Sequence, residues 1–369
     1  MKISKCIARL LNITLLNLIL PIPVFAQDLS EALRLSIQQR IDEGYHLSTI
    51  IGVMDAEGVR YYSFGQLSLS SDAKPDENSI YEIGSITKTF TAILFSDLFL
   101  KKELSMDDSL QTLLPGSNIS SQENNPVTLK HLLTHTSGLP REPTNMDAGS
   151  DDRYAKYTIT DMYEFLREYS FPRKIENQYE YSNAGYGILG LIAEVKGGMS
   201  YEELITIRIC DVLGMKDTRI TLTDEQKDRL AKGFRYGQSP SELDLGQFQA
   251  MGGLRSTASD MLRFLAANLG LEQSQLFNAM QFSHQPLVLK TGSENVEIGL
   301  AWEILHRKES GQTITYHTGG TNGFVNFAGF NKQTMKAVVV LNSGRRYFSD
   351  IGFHILDPTY PIAEIDKLN

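Results

Sequence analysis

The sequence predicts an α/β fold, in the α+β sense: an antiparallel sheet flanked by helices, with an all-helical region inserted between its two halves. Three observations carry this. A short apolar run at Thr49–Met54, the turn Asp55-Ala56-Glu57-Gly58 and the run Val59–Phe64 read as a hairpin near the start. From Leu104 to about Asn268 the signals are mostly helical. After that come four short runs rich in β-branched and aromatic residues, Ile298–Leu305, Thr313–His317, Phe324–Phe330 and Lys336–Leu341, broken by Gly, Asn and Lys. Strands at both ends with helices between them imply one sheet from about 45–84 and 295–345 around a helical region of about 100–270.

Taken in order, the chain opens with Lys2, Lys5 and Arg9, an apolar run from Ile7 to Leu20, Pro21 and Pro23, and Val24-Phe25-Ala26. A charged start, an apolar middle and a small residue at the cut describe a secretory signal over residues 1–26, with a mature start at Gln27. The run is interrupted by Asn12, Thr14 and Asn17 and is short for a bilayer span, which disfavours a retained anchor. The remaining 27–369 read as one domain. Ser30 caps a helix to Ile41. Residues 67–79 are polar and loop-like. Thr89–Phe95 is apolar enough for a buried helix that runs to about Leu100. Thr128 caps a helix through Leu133, and Thr160–Glu168 is another. Ala184–Lys196 is strongly helical and ends at Gly197-Gly198. Ser200-Tyr201-Glu202-Glu203 is a capping box opening a helix to Leu213, with Gly214 after it. Ser259–Asn268 is amphipathic. Lys336-Ala337-Val338-Val339-Val340-Leu341 is apolar enough for a central strand.

Composition narrows the function. The 369 residues are 41% hydrophobic and 21% charged, ordinary for a globular chain. Loss of residues 1–26 removes three cations and no acid, so a net charge of −9 becomes −12. Such a chain has no general attraction to nucleic acid or anionic lipid. Of two cysteines, Cys6 lies in the signal. Cys210 remains, reads as a buried thiol, and cannot form an internal disulfide, so stability must come from a large core. The seven histidines are scattered, and no metal-ligand spacing or cofactor motif is present.

Three motifs carry chemistry. In Tyr81-Glu82-Ile83-Gly84-Ser85-Ile86-Thr87-Lys88, Gly84 is a turn before a helix, and Ser85 and Lys88 stand three apart on one face. A serine hydroxyl needs a base to become nucleophilic, and a lysine with a depressed pKa is such a base. In Glu180-Tyr181-Ser182-Asn183 the Tyr and the Asn are two apart before the strong helix. Tyr181 is a base if cations flank it, and Asn183 binds a substrate amide; the plainer alternative is a packing ring and a helix cap. In Tyr316-His317-Thr318-Gly319-Gly320, two glycines at a strand end leave the backbone open to a ligand added as a further strand; the alternative is a hairpin turn with a surface histidine.

S-x-x-K, Y-S-N and H-T-G in this order resemble the penicillin-recognising serine hydrolases, closest to the class C β-lactamases, the D-alanyl-D-alanine carboxypeptidases and related secreted esterases. The resemblance covers roughly residues 30–345 and includes Leu132-Leu133-Thr134-His135-Thr136-Ser137-Gly138-Leu139-Pro140 and Leu213-Gly214-Met215-Lys216-Asp217-Thr218. It implies a β-lactamase/transpeptidase-like fold, and an acyl-enzyme acting on D-Ala-D-Ala-type peptides or β-lactams outside the cytoplasm. It implies Ser85 as the acylated nucleophile and Lys88 and Tyr181 as proton handlers, without saying which is the base. Asn183 would bind the acyl-side amide. The N–H groups of Ser85 and Gly320 would form the oxyanion hole, and His317 and Thr318 would face the substrate carboxylate. Departures weaken a β-lactamase and favour a peptidase or esterase: His317 where class C enzymes carry Lys, Thr87 where Ser or Ala is commoner, and Glu142 near a position often Gln, offset only by Arg141. Arg345 and Arg346 are candidate carboxylate anchors after the last strand. A neutral His317 provides less charge for a penicillin carboxylate and makes the site pH-sensitive. The rival from another class is a non-catalytic penicillin-binding sensor module.

Overall fold

The computed structural model describes residues 29–364 except 118–125, 148, 151, 172–177 and 345–347. The leader reading for 1–26 and the candidates Arg345 and Arg346 lie outside the described residues.

Among the described residues the main sheet holds eight of ten strands. In chain order these are β1 His46–Asp55, β2 Gly58–Gly65, β3 Ile80–Glu82, β4 Arg255–Thr257, β5 Val288–Leu289, β6 Val296–Ile298, β7 Glu303–His306, β8 Thr313–Gly320, β9 Val325–Asn331 and β10 Lys336–Gly344. The large sheet runs β2-β1-β10-β9-β8-β7-β6-β5, with every neighbouring pair antiparallel. The first hairpin therefore closes against the last strand, joining the two ends of the chain, with Ile50 opposite Leu341 and Val53 opposite Val338. The apolar run of β10 lies inside the sheet, as its sequence predicts.

Alternation along β10 makes the sheet two-faced. Ala337, Val339 and Leu341 pack into the large core with the helices Thr87–Leu100 and Ala258–Leu269. Val338 and Val340 face Leu33 and Ile37 of the N-terminal helix Glu31–Asp42 and Ile351 and Phe353 of the C-terminal helix Ser349–Leu356. These two terminal helices are tied by a fully buried pair: Arg40 donates to both Asp350 oxygens, at 3.0 and 2.7 Å.

Between β2 and β5 the chain leaves the large sheet. Its spine is the Thr87–Leu100 helix, buried at every position from Thr87 to Leu98, with Phe90 stacked on Phe264 at 4.1 Å. Thr128 and Ser200 do close capping boxes, and the strong helix spans Asn183–Gly197.

Several expectations need correction. Residues 80–84 are not part of the main sheet; β3 pairs with β4 in a separate two-stranded sheet. The helix expected at Thr160 starts at Ile159, capped by Thr158. The run from Ser200 to Leu213 is not one α-helix: Thr206–Cys210 winds as a wider π-turn between two short α pieces. The expected strand Ile298–Leu305 is two strands, β6 and β7. Between them Gly299 N–H donates to Trp302 O at 2.8 Å, and Ala301 takes a left-handed φ of 65°. Cys210 is buried and free, its thiol pushed up to about 12 by burial. Among the described residues no helix is long and apolar enough to cross a membrane.

Candidate active site

The site forms where the start of the spine helix meets the end of β8. Gly84–Ile86 makes one tight turn before the helix, with Gly84 at φ 53°, a conformation that glycine adopts without strain. That turn lies flat on β8. A Cβ built on Gly319 would stand 1.9 Å from Ile83 O, and one on Gly84 would stand 2.8 Å from both N and O of Gly320. Two backbones approach here with no room for a side chain, which is why the third motif ends in glycines. β7 pairs with β8 only as far as Tyr316, opposite Glu303, so His317–Gly320 continue beyond it beside the Ser85 turn.

Lys88, one helical turn from Ser85, is completely buried. Its Nζ lies 3.0 Å from Ser85 Oγ, 3.0 Å from Asn183 Oδ1 and 2.6 Å from Met251 O. Burial holds its pKa well below the ordinary lysine value, Arg141 adds to the lowering, and Glu142 opposes it. A neutral amine has two N–H groups and one lone pair. Asn183 Oδ1 and Met251 O only accept, so they take the two N–H groups. The lone pair is then left for the Ser85 hydroxyl proton. This is the arrangement of a nucleophile hydrogen-bonded to its base.

Tyr181 closes the other side. Its hydroxyl hydrogen-bonds Ser85. Its ring lies 4.9 Å from Lys88 Nζ and 5.1 Å from the Arg141 guanidinium carbon. Burial nevertheless raises its pKa above the ordinary phenol value. Arg141 pulls the value down without offsetting burial, so the reading of Tyr181 as an ionised base is not met. Tyr181 stands as a neutral O–H donor beside a lysine held neutral.

Asn183 is not the helix cap. Ser182 is, its Oγ accepting from Gly185 N–H at 2.9 Å. Asn183 Oδ1 takes the Lys88 proton, and its Nδ2 donates to Glu142 Oε1 at 2.8 Å. Tyr154 O–H donates to the same oxygen at 2.7 Å, while Glu142 Oε2 is buried without a partner. Glu142 thus faces Asn183 rather than simply opposing a substrate.

His317 is buried rather than on the surface. Burial lowers its pKa to about 4, Glu303 opposing and Lys88 assisting, so near neutral pH the ring is uncharged. Its Nδ1 lies 2.6 Å from Thr318 O, and a carbonyl only accepts, so Nδ1 carries the proton. Near neutral pH His317 therefore supplies no positive charge for a carboxylate. Thr318 is half-buried and Gly320 exposed on the same strand end. Beside them, Glu303 accepts from Lys290 Nζ at 2.6 Å and from Tyr316 O–H at 2.7 Å.

The motifs did not reveal His135, which stacks on Tyr181 with ring centroids 4.5 Å apart. Nor did they reveal Met251, whose carbonyl holds Lys88 from 163 residues away in sequence. The first sits in a stretch already noted for its resemblance. The second acts through a backbone atom, which no residue type announces.

A family model described as Beta-lactamase matches residues 34–350. The chain belongs to the β-lactamase family. This is the serine penicillin-recognising superfamily, a group of serine hydrolases. Over 297 residues the chain is 31% identical to "Penicillin-binding protein 4*" of Bacillus subtilis (strain 168), covering 74% of this chain and 63% of that protein, less than two thirds of its length. Over 319 residues it is 27% identical to the "D-alanyl-D-alanine-carboxypeptidase/endopeptidase AmpH" of Escherichia coli (strain K12), covering 83% of this chain and 82% of that one. The fold matches a class C β-lactamase from Rhodobacter sphaeroides with a TM-score of 0.75 at 22% identity, over 89% of this chain and 100% of that one. A second class C β-lactamase gives 0.78, also at 22% identity, over 90% and 96%.

Proposed function

We propose that this family member is an exported hydrolase, periplasmic or secreted, that passes the acyl group of a D-Ala-D-Ala-type peptide or a β-lactam through an ester on Ser85. The observation that carries the reading is the buried Lys88, its pKa held down by that burial, within hydrogen-bond reach of Ser85. The named relatives and the leader-like pattern of residues 1–26 support substrate class and export.

In this reading Ser85 Oγ attacks the carbonyl as its proton moves to Lys88 Nζ. The new ammonium has acceptors in place at Asn183 Oδ1 and Met251 O. The carbonyl oxygen becomes an anion held by the Ser85 and Gly320 N–H groups. As the tetrahedral intermediate collapses, the Tyr181 hydroxyl gives its proton to the leaving nitrogen and takes back the one on Lys88. A water then attacks the ester by the reverse route, losing its proton to the same pair, and Ser85 is regenerated. Asn183 turns toward the acyl-side amide, and His317 and Thr318 flank the substrate's far end. Arg345 and Arg346 remain the candidate anchors for a terminal carboxylate.

One observation favours a second reading. His317 is neutral with its proton committed to Thr318 O, and Glu303 stands close by, so this end attracts a carboxylate weakly. An ester without a carboxylate avoids that weakness, which suits an esterase of the same fold. A non-catalytic sensor is disfavoured by the complete Ser85–Lys88–Tyr181 set. The test is side-by-side turnover of a chromogenic cephalosporin, a D-Ala-D-Ala peptide and a short p-nitrophenyl ester, with mass spectrometry of the fluorophosphonate or penicillin adduct. One adduct on Ser85, lost in Ser85→Ala, is expected. An adduct elsewhere overturns the mechanism, and turnover of the ester alone selects the second reading.

A further inference from the structure

His135 is the one residue of the site whose backbone is strained. Its φ is 59°, a region that a non-glycine residue occupies at a cost and that points to a role when the surroundings hold it there. Its N–H donates to Leu132 O at 3.3 Å, and three of its other contacts converge on Tyr181. The His135 carbonyl accepts the N–H of Glu180 at 2.8 Å, and its Nδ1 accepts the N–H of Ser182 at 3.0 Å. The residues immediately before and after Tyr181 are thus both held by His135. The imidazole stacks on the Tyr181 ring at 4.5 Å with planes 29° apart, and Tyr179 and Tyr186 pack against its other sides at 5.6 and 5.0 Å.

The tautomer follows from these bonds. A backbone N–H only donates, so Nδ1 must offer its lone pair and the neutral ring carries its proton on Nε2. That Nε2 is buried with no partner. A second proton would go onto Nδ1, against the Ser182 N–H, and break the clasp. Burial opposes that proton, and so does any positive charge on the Lys88, His317, Lys290 and Arg141 side chains around the ring. The clasp is therefore built to stay neutral.

We propose that His135 is a positioning residue for Tyr181: it fixes the phenol relative to Ser85 from behind, by gripping both neighbouring peptides and one face of the ring. The inference rests on the proton-handling role proposed above for Tyr181. A misplacement of the hydroxyl by a fraction of an ångström to one ångström is enough to cost about 10- to 100-fold in turnover.

Two substitutions separate the parts. His135→Gly suits the positive φ and removes the ring. His135→Asn also tolerates that φ, and its Oδ1 stands one bond from Cγ, as Nδ1 does, so it restores the acceptor without the stack. Turnover of the p-nitrophenyl ester is measured for both, each in the wild-type and Tyr181→Phe backgrounds, corrected for the fraction of molecules that a fluorophosphonate labels. His135→Gly is expected to lower kcat about 10- to 100-fold with KM little changed, and His135→Asn to recover most of that loss. In Tyr181→Phe, His135→Gly should cost less than about threefold more. Equal losses in the two backgrounds, or no rescue by Asn, would show a merely structural residue and overturn the proposal. A Tyr181→Phe enzyme that turns over like wild type would instead overturn the role of Tyr181, and the positioning of it with that.

Discussion

Lys88 and Glu142 pull in opposite directions across Asn183. Lys88 must lose its proton to serve as a base, and burial with Arg141 favours the loss. Glu142 favours the ammonium, yet its Oε1 also orients Asn183, whose amide aims its oxygen at Lys88. Charge and orientation can be separated with Glu142→Gln. The amide keeps an Oε1 for Asn183 Nδ2 and Tyr154 O–H but removes the negative charge. With that charge gone, the Lys88 pKa falls further. The rate rises with pH as Lys88 deprotonates, so the acid limb of kcat/KM should move to lower pH in the variant. A pH–rate profile on a neutral ester, free of any substrate carboxylate, reads this directly. An acid limb that stays in place or moves to higher pH would show that Lys88 does not control it, or that Glu142 acts through Asn183 alone.

At the scale of elements, the decisive contact is the Ser85 turn lying on β8. Gly319→Ala would place a Cβ 1.9 Å from Ile83 O, so the turn or the strand must move. Phosphonylation of Ser85 by a fluorophosphonate is expected to slow at least about 100-fold, with destabilisation of about 1–3 kcal/mol. Gly320→Ala is the contrast: its nearest neighbour is Phe324 O at 3.9 Å, and its thermal midpoint should stay close to wild type. Equal midpoints for both variants would mean that the turn yields freely. This contact also marks how far the sequence could be read. The local signals were legible: Ser30, Thr128 and Ser200 announce helix starts with their own side chains, and the Ala337–Leu341 run announces an interior strand. The S-x-x-K spacing needed only one helical turn to become a bond. What could not be read depends on partners far along the chain. β3 finds β4 about 175 residues away, so it looked like an extension of the first hairpin. The β6–β7 turn places Ala301, not Gly299, at positive φ, so its residue types only partly marked it. The Ser349–Leu356 helix is buried at seven of its eight positions, which erases the amphipathic period that would have revealed it. The charge of His317 could not be read from the motif, because burial decides it.

On the scale of the whole molecule, one acid-sensitive element recurs. Among the described residues, burial lowers the pKa of four histidines: His46 beside Arg40, His135 behind Tyr181, His284 against Trp302 and Phe330, and His317 on β8. Burial is the first cause in each. It takes His46 to about 3, with Arg40 assisting, and His317 to about 4, and it holds His135 and His284 well below the ordinary value. In the unfolded chain all four titrate near 6.5. Between that value and the folded ones the unfolded state binds more protons, so stability rises with pH there and is lost as pH falls. Each histidine contributes at most about 1.4 kcal/mol per pH unit, so four set an upper bound of roughly 5 kcal/mol per unit once pH is well below 6.5. No disulfide of Cys210 offsets the loss, since its thiol is free. Urea midpoints should therefore be level above pH 7.5 and drop progressively from pH 6.5 to 5. His284→Phe isolates one contributor. The ring fits among Trp302 and Phe330, and leaving Asn268 Oδ1 without its partner at 2.9 Å costs stability at every pH. The slope, however, should fall by about a quarter, because one of four protons is gone. A level profile from pH 7.5 to 5 in the wild-type protein, or an unchanged slope in His284→Phe, would mean that these imidazoles find compensation on protonation that their burial does not provide.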